Sequence, residues 1–125
     1  MVSLRDSFKK YVRELKELGI ECAERDVNYL MCAALSIEKK EIIHLLEKSL
    51  SSSEQSILVS LIERRKTFEP ISKIIGKKMF WNMEFCVNRA VLDPRPETEI
   101  LIENALAEVK ENSTILELGT GSGCI

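Results

Sequence analysis

The sequence has little of what most recognisable sites are built from. Histidine occurs once, at His44, and the four cysteines, Cys22, Cys32, Cys86 and Cys124, are irregularly spaced with no C-x-x-C pair. A structural zinc site gathers about four Cys or His ligands in short paired spacings. No metal site is therefore expected, and the cysteines read as small, half-buried thiols in a reducing compartment. Basic charge is not in excess either: 18 Lys and Arg stand against 20 Asp and Glu, for a formal net charge of −2. Non-specific nucleic-acid binding needs a clear surplus of Lys and Arg on one face, so nucleic acid is not an expected partner. No apolar run approaches the ~20 residues of a membrane span. The opening MVSLRDSFKK carries charge with no apolar run behind it, so no secretory signal is expected. These absences point to the cytosol and away from a membrane.

What is present is an ordinary globular composition. Apolar residues make up 45% and charged residues 30% of 125, which argues against wholesale disorder. The length fits one domain, or a small domain plus part of another. The first two-thirds has a helical period. Ser3, with Asp6 three residues later, caps a helix predicted to run to about Leu18, with Leu4, Phe8, Tyr11, Val12, Leu15 and Leu18 on its apolar face. Gly19 supplies the left-handed stop. A second helix is predicted from about Glu24 to Leu35, buried through Val27, Leu30, Met31, Ala34 and Leu35. Ser36 reads as the cap of a third, whose apolar part is Ile42, Ile43, Leu45 and Leu46. After the break SLSSSEQ, Ser52 and Gln55 match a capping box. The helix they open is predicted to reach Lys66 and to bury Ile57, Leu58, Leu61 and Ile62. Arg64, Arg65 and Lys66 at its end suit the negative pole of the helix dipole and read as solvated surface.

Pro70 marks a junction, and PISKIIG makes a short helical turn closed by Gly76. The period then changes. Residues 77–92, KKMFWNMEFCVNRAVL, are rich in aromatic and branched side chains and predict a β-hairpin turning near Asn82. In DPRPETE, Pro94 and Pro96 force an extended stretch around Arg95. Pro96 suits the first position of a new helix, with Glu97 and Glu99 in its first turn. That helix is predicted to reach Val109 with Ile100, Leu101, Ala105, Leu106 and Val109 facing inward.

The closing segment, STILELGTGSGCI, carries the chemistry. Ile115, Leu116 and Leu118 read as a short buried strand running into Gly119, Gly121 and Gly123, with Thr120 and Ser122 between. Glycines at the end of a parallel strand let the backbone approach a ligand closely, because no Cβ stands in the way. A dinucleotide fingerprint would be G-x-G-x-x-G and would set a pyrophosphate on the following helix. Here the third glycine comes one residue early, and Glu117 stands two residues before the first. That carboxylate would repel a pyrophosphate and favour a cationic ligand. At ~4 Å, opposite charges near a protein surface attract by roughly 4 kcal/mol at an effective dielectric of about 20, before desolvation. S-adenosylmethionine, with its ammonium and sulfonium and no phosphate, fits the pattern. A tight glycine turn without a ligand is the bland alternative.

The combination of EPISKIIGKKMFWNMEF, VLDPRPETEILIENAL and ILELGTGSGCI resembles the PrmC/HemK family at motif level over about residues 69–125; the earlier helices fit its helical N-terminal domain in pattern. The family methylates the glutamine of the Gly-Gly-Gln motif of class I peptide chain release factors. The segment RPETE separates it from a sister group that methylates a ribosomal-protein glutamine. The resemblance implies that Glu117 sits near the methionine ammonium of S-adenosylmethionine, and that Gly119, Thr120, Gly121, Ser122 and Gly123 wrap the methionine and ribose end. It implies that Pro94, Arg95, Pro96, Glu97 and Thr98 form a lip beside cofactor and substrate, and that the hairpin bearing Phe80, Trp81 and Phe85 joins two domains. Asp93 departs from the family, which more often has an apolar residue there.

The resemblance also shows what the 125 residues do not contain. The family's second acidic residue, for the ribose hydroxyls, is expected ~20 residues beyond the glycine loop. The Asn-Pro-Pro-Tyr motif that holds the substrate amide lies further on. An amide nitrogen is a poor nucleophile, its lone pair being delocalised into the carbonyl, and orientation by that motif would supply much of the rate. No catalytic residue is therefore expected in this chain. The expected fold class is an α+β fragment. It comprises a helical N-terminal substrate-recognition bundle over residues 1–75, a β-hairpin linker over 76–93, and the start of a Rossmann-like class I methyltransferase domain over 94–125, cut within its cofactor loop. The fragment is expected to be inactive and to bind cofactor weakly or not at all, and the strand Ile115–Leu118, which has no sheet partners in this chain, is expected to be unpaired or held in an improvised packing. Two other classes fit parts of the pattern: a non-catalytic helical interaction module, and a fragment of a nucleic-acid adenine methyltransferase. The even charge balance and RPETE count against the second.

Overall fold

Ser3 opens the first helix as predicted. Its hydroxyl accepts from the Asp6 N–H at 3.1 Å and donates to the Asp6 carboxylate at 2.7 Å, satisfying a backbone donor that the helix start leaves orphaned. The computed structural model describes residues 2–125, and in it α1 spans Leu4–Glu17 and α2 spans Ala23–Leu35. Gly19 ends α1 at φ +82°, its N–H donating to Lys16 O while the Ile20 N–H donates to Leu15 O. Ile20 and Leu15 are both buried beside that stop, the apolar contact that accompanies a Schellman closure.

The third predicted helix is replaced by a single 3₁₀ turn, Ile42–Leu45. Ser36 is not its cap. Ser36 has φ +53° and donates its N–H to Ala33 O, while the Ile37 N–H reaches Cys32 O at 3.1 Å, so Ser36 closes α2 instead. A residue spent on a left-handed stop cannot also start the next helix. The fourth predicted helix is present as α3, Ser52–Lys66, but its box is one residue earlier. Ser51 Oγ accepts from the Glu54 N–H at 3.3 Å, and Glu54 accepts from the Ser51 N–H at 2.8 Å. Glu54 also pairs with Lys48 at 2.8 Å. The Lys48 ammonium and the Ser51 N–H together draw its carboxyl down from 4.5 to about 2. Leu58 and Ile62 are buried and Leu61 half-buried, whereas Ile57 is 48% exposed, as is Leu18 on α1 at 46%. Both of those had been expected inside.

After α4, Ile71–Ile75, the hairpin pairs β1, Lys77–Phe80, with β2, Met83–Cys86, antiparallel in the register Lys77 with Cys86 and Phe80 with Met83. The last helix, α5, covers Thr98–Glu108 with Glu97 as its N-cap, so Pro96 lies in the turn ahead of it rather than at its first position. The inward face predicted for α5 is also corrected. None of its residues is buried, and Ile100, Leu101 and Leu106 are each more than half exposed.

The chain divides into two compact units, Met1–Ile75 and Gly76–Ile125. In the first, Leu4, Leu15, Val27, Leu30, Met31, Leu58 and Ile62 form a core where α1, α2 and α3 meet. The chain start closes on the segment after the 3₁₀ turn, with Leu4 N–H donating to Lys48 O at 2.9 Å. In the second unit, Phe80 and Phe85 meet edge to face at 6.1 Å, and Phe80 and Val87 are buried.

Candidate functional site

The residues read as a strand before the glycine loop do not form one. Ile115, Leu116 and Leu118 are 70, 82 and 85% exposed, and β1 and β2 are the sole strands among the described residues. A lone strand leaves a row of backbone donors and acceptors unpaired, so residues 113–117 remain irregular. The loop itself has the backbone its composition demands. Gly119, Gly121 and Gly123 have φ of +74°, +57° and +74°, and the Gly123 N–H donates to Thr120 O at 2.9 Å. A Cβ on Gly119 would meet nothing within 4 Å, and the nearest atoms to one on Gly121 or Gly123 would be 3.8 and 3.9 Å away. Glycine is needed here for its positive φ rather than for space. Glu117 and Ser122 are half-buried and Thr120 is exposed. One carboxylate ahead of three such glycines is a donor set suited to a cationic ligand, but the strand that would aim Glu117 is not formed.

The Pro94–Thr98 segment is held by its own turn hydrogen bonds. Pro94 is buried, Thr98 half-buried, and Arg95, Pro96 and Glu97 exposed. The N–H groups of Thr98, Glu99 and Ile100 donate to the carbonyls of Arg95, Pro96 and Glu97 at 3.0, 3.1 and 3.3 Å. One side chain joins this segment to the hairpin: Glu99 Oε1 accepts from the Trp81 N–H at 2.9 Å. From its place in the sequence Glu99 has only a helix-dipole role. The signal was available, because a bulky residue beside Asn in a two-residue turn needs outside support. Within the hairpin, Lys77 and Glu84 pair at 2.9 Å, and hydrogen bonding to Glu84 pulls the Lys77 ammonium above its usual range.

The basic trio at the end of α3 is not solvated surface. Arg65 Nε meets the buried Asp26 carboxylate at 2.8 Å and its Nη1 donates to Glu69 O at 3.1 Å. Arg64 grips Glu69 with two hydrogen bonds, at 2.9 and 2.7 Å, and reaches the carbonyls of Lys73 and Ile74. Lys66 pairs with Glu14 and Glu63. All three charges are paired within the unit, tying α1, α2, α3 and α4 together. Asp26, placed among the apolar positions of α2, was the sequence sign of this network. Along α1, Phe8 and Val12 floor an open groove of about 560 Å³ rimmed by Lys9, Arg13, Lys16, Glu17 and Glu24, charges of both signs; the sequence pattern marks none of them as a site.

The cysteines are free thiols, and burial pushes the Cys32 thiol up. No group of three or more His, Cys, Asp or Glu placed to hold a metal ion occurs among the described residues. No helix among them is long and apolar enough to cross a membrane.

Comparison with known proteins bears on both units. The family model described as the PrmC N-terminal domain matches residues 6–76. A protein of Cereibacter sphaeroides named "Release factor glutamine methyltransferase" is 38% identical over 120 residues, covering 96% of this chain and 42% of that protein. Proteins of the same name from Buchnera aphidicola subsp. Schizaphis graminum and Rhodospirillum rubrum are 41% identical over 118 residues and 38% over 112. These cover 94 and 89% of this chain and 42 and 34% of the relatives. The chain thus spans well under half the length of the curated relatives it matches.

Proposed function

This chain belongs to the PrmC N-terminal domain family, and on that footing we propose that it is the front part of a protein-glutamine methyltransferase of class I peptide chain release factors. Residues 1–75 serve as the substrate-recognition domain, residues 76–93 as a hairpin linker, and residues 94–125 as the opening of a Rossmann-like methyltransferase domain that works in the cytosol. The observation that carries this reading is the family match over residues 6–76, with similarity to the methyltransferases running across 96% of the chain in the first relative.

When bound, S-adenosylmethionine supplies a methyl group made electrophilic by the adjoining sulfonium. The task of these 125 residues toward it is to bind and orient. In the full domain Glu117 would hold the ammonium end, and Gly119, Thr120, Gly121, Ser122 and Gly123 would offer backbone donors and close approach. Pro94, Arg95, Pro96, Glu97 and Thr98 border the substrate side. None of them moves a proton or activates the glutamine amide, so the 125-residue chain does not methylate by itself.

The test is a binding and transfer assay with a class I release factor. The chain is expected to bind the factor and to leave its Gly-Gly-Gln glutamine unmodified when labelled S-adenosylmethionine is added. No binding would remove the recognition role, and methyl transfer would overturn the claimed inactivity. A second reading has one observation in its favour: the first unit has a core of its own. It would act as a helical interaction module, and residues 1–75 alone would then bind the factor as tightly as the whole chain.

A further inference from the structure

The turn of the hairpin assigns Glu99 a role beyond the cofactor reading. Trp81 and Asn82 link β1 to β2 with φ of 49° and 58°. Two-residue turns of this kind need positive φ at both positions and favour Asn-Gly or Asp-Gly. Asn82 adopts that conformation readily. Trp81 does not, since a bulky side chain in the left-handed region is strained and persists only where its surroundings over-determine it. That support comes from outside the hairpin. The Trp81 N–H lies beyond the last ladder pair, Phe80 with Met83, and donates to Glu99 Oε1 at 2.9 Å. Glu99 stands in the first turn of α5, immediately after Pro94–Thr98, and shares that segment's turn hydrogen bonds.

We propose that Glu99 is a positioning residue whose carboxylate clasps the strained hairpin tip and so holds the Pro94–Thr98 segment in register with β1 and β2. Its functional meaning rests on the reading of that segment as a cofactor and substrate lip; the clasp itself does not. An ionised acceptor makes a stronger hydrogen bond than a neutral one. The first helical turn favours an anion, so the acceptor is retained where it is needed. The hairpin supplies a paired platform, Glu99 ties the helix start to it, and Arg95, Pro96 and Glu97 remain exposed on the tied segment.

Trp81 is the single tryptophan of the chain, so its emission reports on this turn, and residue-resolved amide exchange reports on the lip. Glu99→Ala is expected to speed exchange of the Trp81, Thr98 and Ile100 amides about tenfold, to shift Trp81 emission, and to leave the amides of α1, α2 and α3 unchanged. Glu99→Gln keeps an acceptor of equal reach and is expected to restore most of the protection. Trp81→Gly keeps the N–H and removes the strain, so in that background Glu99→Ala should have a smaller effect on the lip amides. If Glu99 served only the helix dipole, Gln would be as damaging as Ala and Trp81→Gly would make no difference. That pattern, or an unchanged Trp81 amide in Glu99→Ala, would overturn the proposal. Release-factor binding by Glu99→Ala, compared with the unaltered chain, tests the lip reading separately: equal binding sinks a substrate-side role for the segment while the exchange data still decide the clasp.

Discussion

Leu30 and Leu116 are the same side chain in opposite circumstances. Leu30, on α2, is wholly buried among α1, α2 and α3, while Leu116, before the glycine loop, is 82% exposed. The difference runs through the two units to which they belong. In the first, amphipathic helices of local period meet one another, and each apolar stripe finds a neighbour. In the second, the hairpin pairs with itself, but α5 and residues 113–118 carry apolar side chains that stay exposed. Helices satisfy their backbone internally, whereas a strand depends on a partner strand. That is why α5 forms although its face is bare, and the strand before the loop does not form at all.

The comparison can be broken most severely at Asp26. Its side chain is 2% exposed and pairs with Arg65 at 2.8 Å, so Asp26→Ala strands a half-buried guanidinium and is expected to cost about 3–5 kcal/mol. Urea denaturation followed by helical circular dichroism measures this. A cost no larger than that of Glu47→Ala, at an exposed pair with Arg5, would show that the network does not hold the unit. Leu30→Ala is expected to cost about 3 kcal/mol, and Leu116→Ala less than about 0.5 kcal/mol, by the same titration. Equal effects would erase the contrast between the units. Ser51→Ala, which removes the N-cap of α3, should cost about 1 kcal/mol.

The smallest expected effect is one of pH. In the folded chain the Glu54 carboxyl is drawn from 4.5 to about 2, first by Lys48 and then by Ser51. A value lowered by folding means that the stabilisation is fully present above about 4.5 and is lost as pH falls toward 2. Glu54→Gln is therefore expected to flatten the acid limb of the stability profile in that window. An unchanged acid limb would remove the cap from the account.

Much of the first unit was legible in the sequence, because helix periods and caps are local. Ser3, Gly19 and the buried stripe of α2 stand where the pattern put them, and the capping box of α3 is one residue off because three consecutive serines, Ser51 to Ser53, compete as the start. The 3₁₀ turn was misread as a helix, since Ser36 can cap either a start or a stop and only the backbone decides. The hairpin and its turn were legible from the change of period. The Asp26–Arg65 and Glu99–Trp81 contacts are signalled at one end only, at Asp26 and Trp81; their partners are not legible, because they lie 39 and 18 positions away. The glycine loop is legible as a glycine-rich turn, but the sequence reading gives close approach as the reason, whereas all three glycines are needed for positive φ. The segment Ile115–Leu118, expected to lack sheet partners in this chain, pairs with no strand among the described residues; only its expected burial is not met, because the residue pattern reports what a segment can pack against, not whether a partner is there.

The claim on which the account turns is that the donor set at Glu117 and Gly119–Gly123 is chemically suited to S-adenosylmethionine but not assembled by these 125 residues. Calorimetric titration of S-adenosylmethionine into the chain tests it directly. The account predicts no saturable heat at micromolar concentrations, and a micromolar dissociation constant abolished by Glu117→Ala would contradict it.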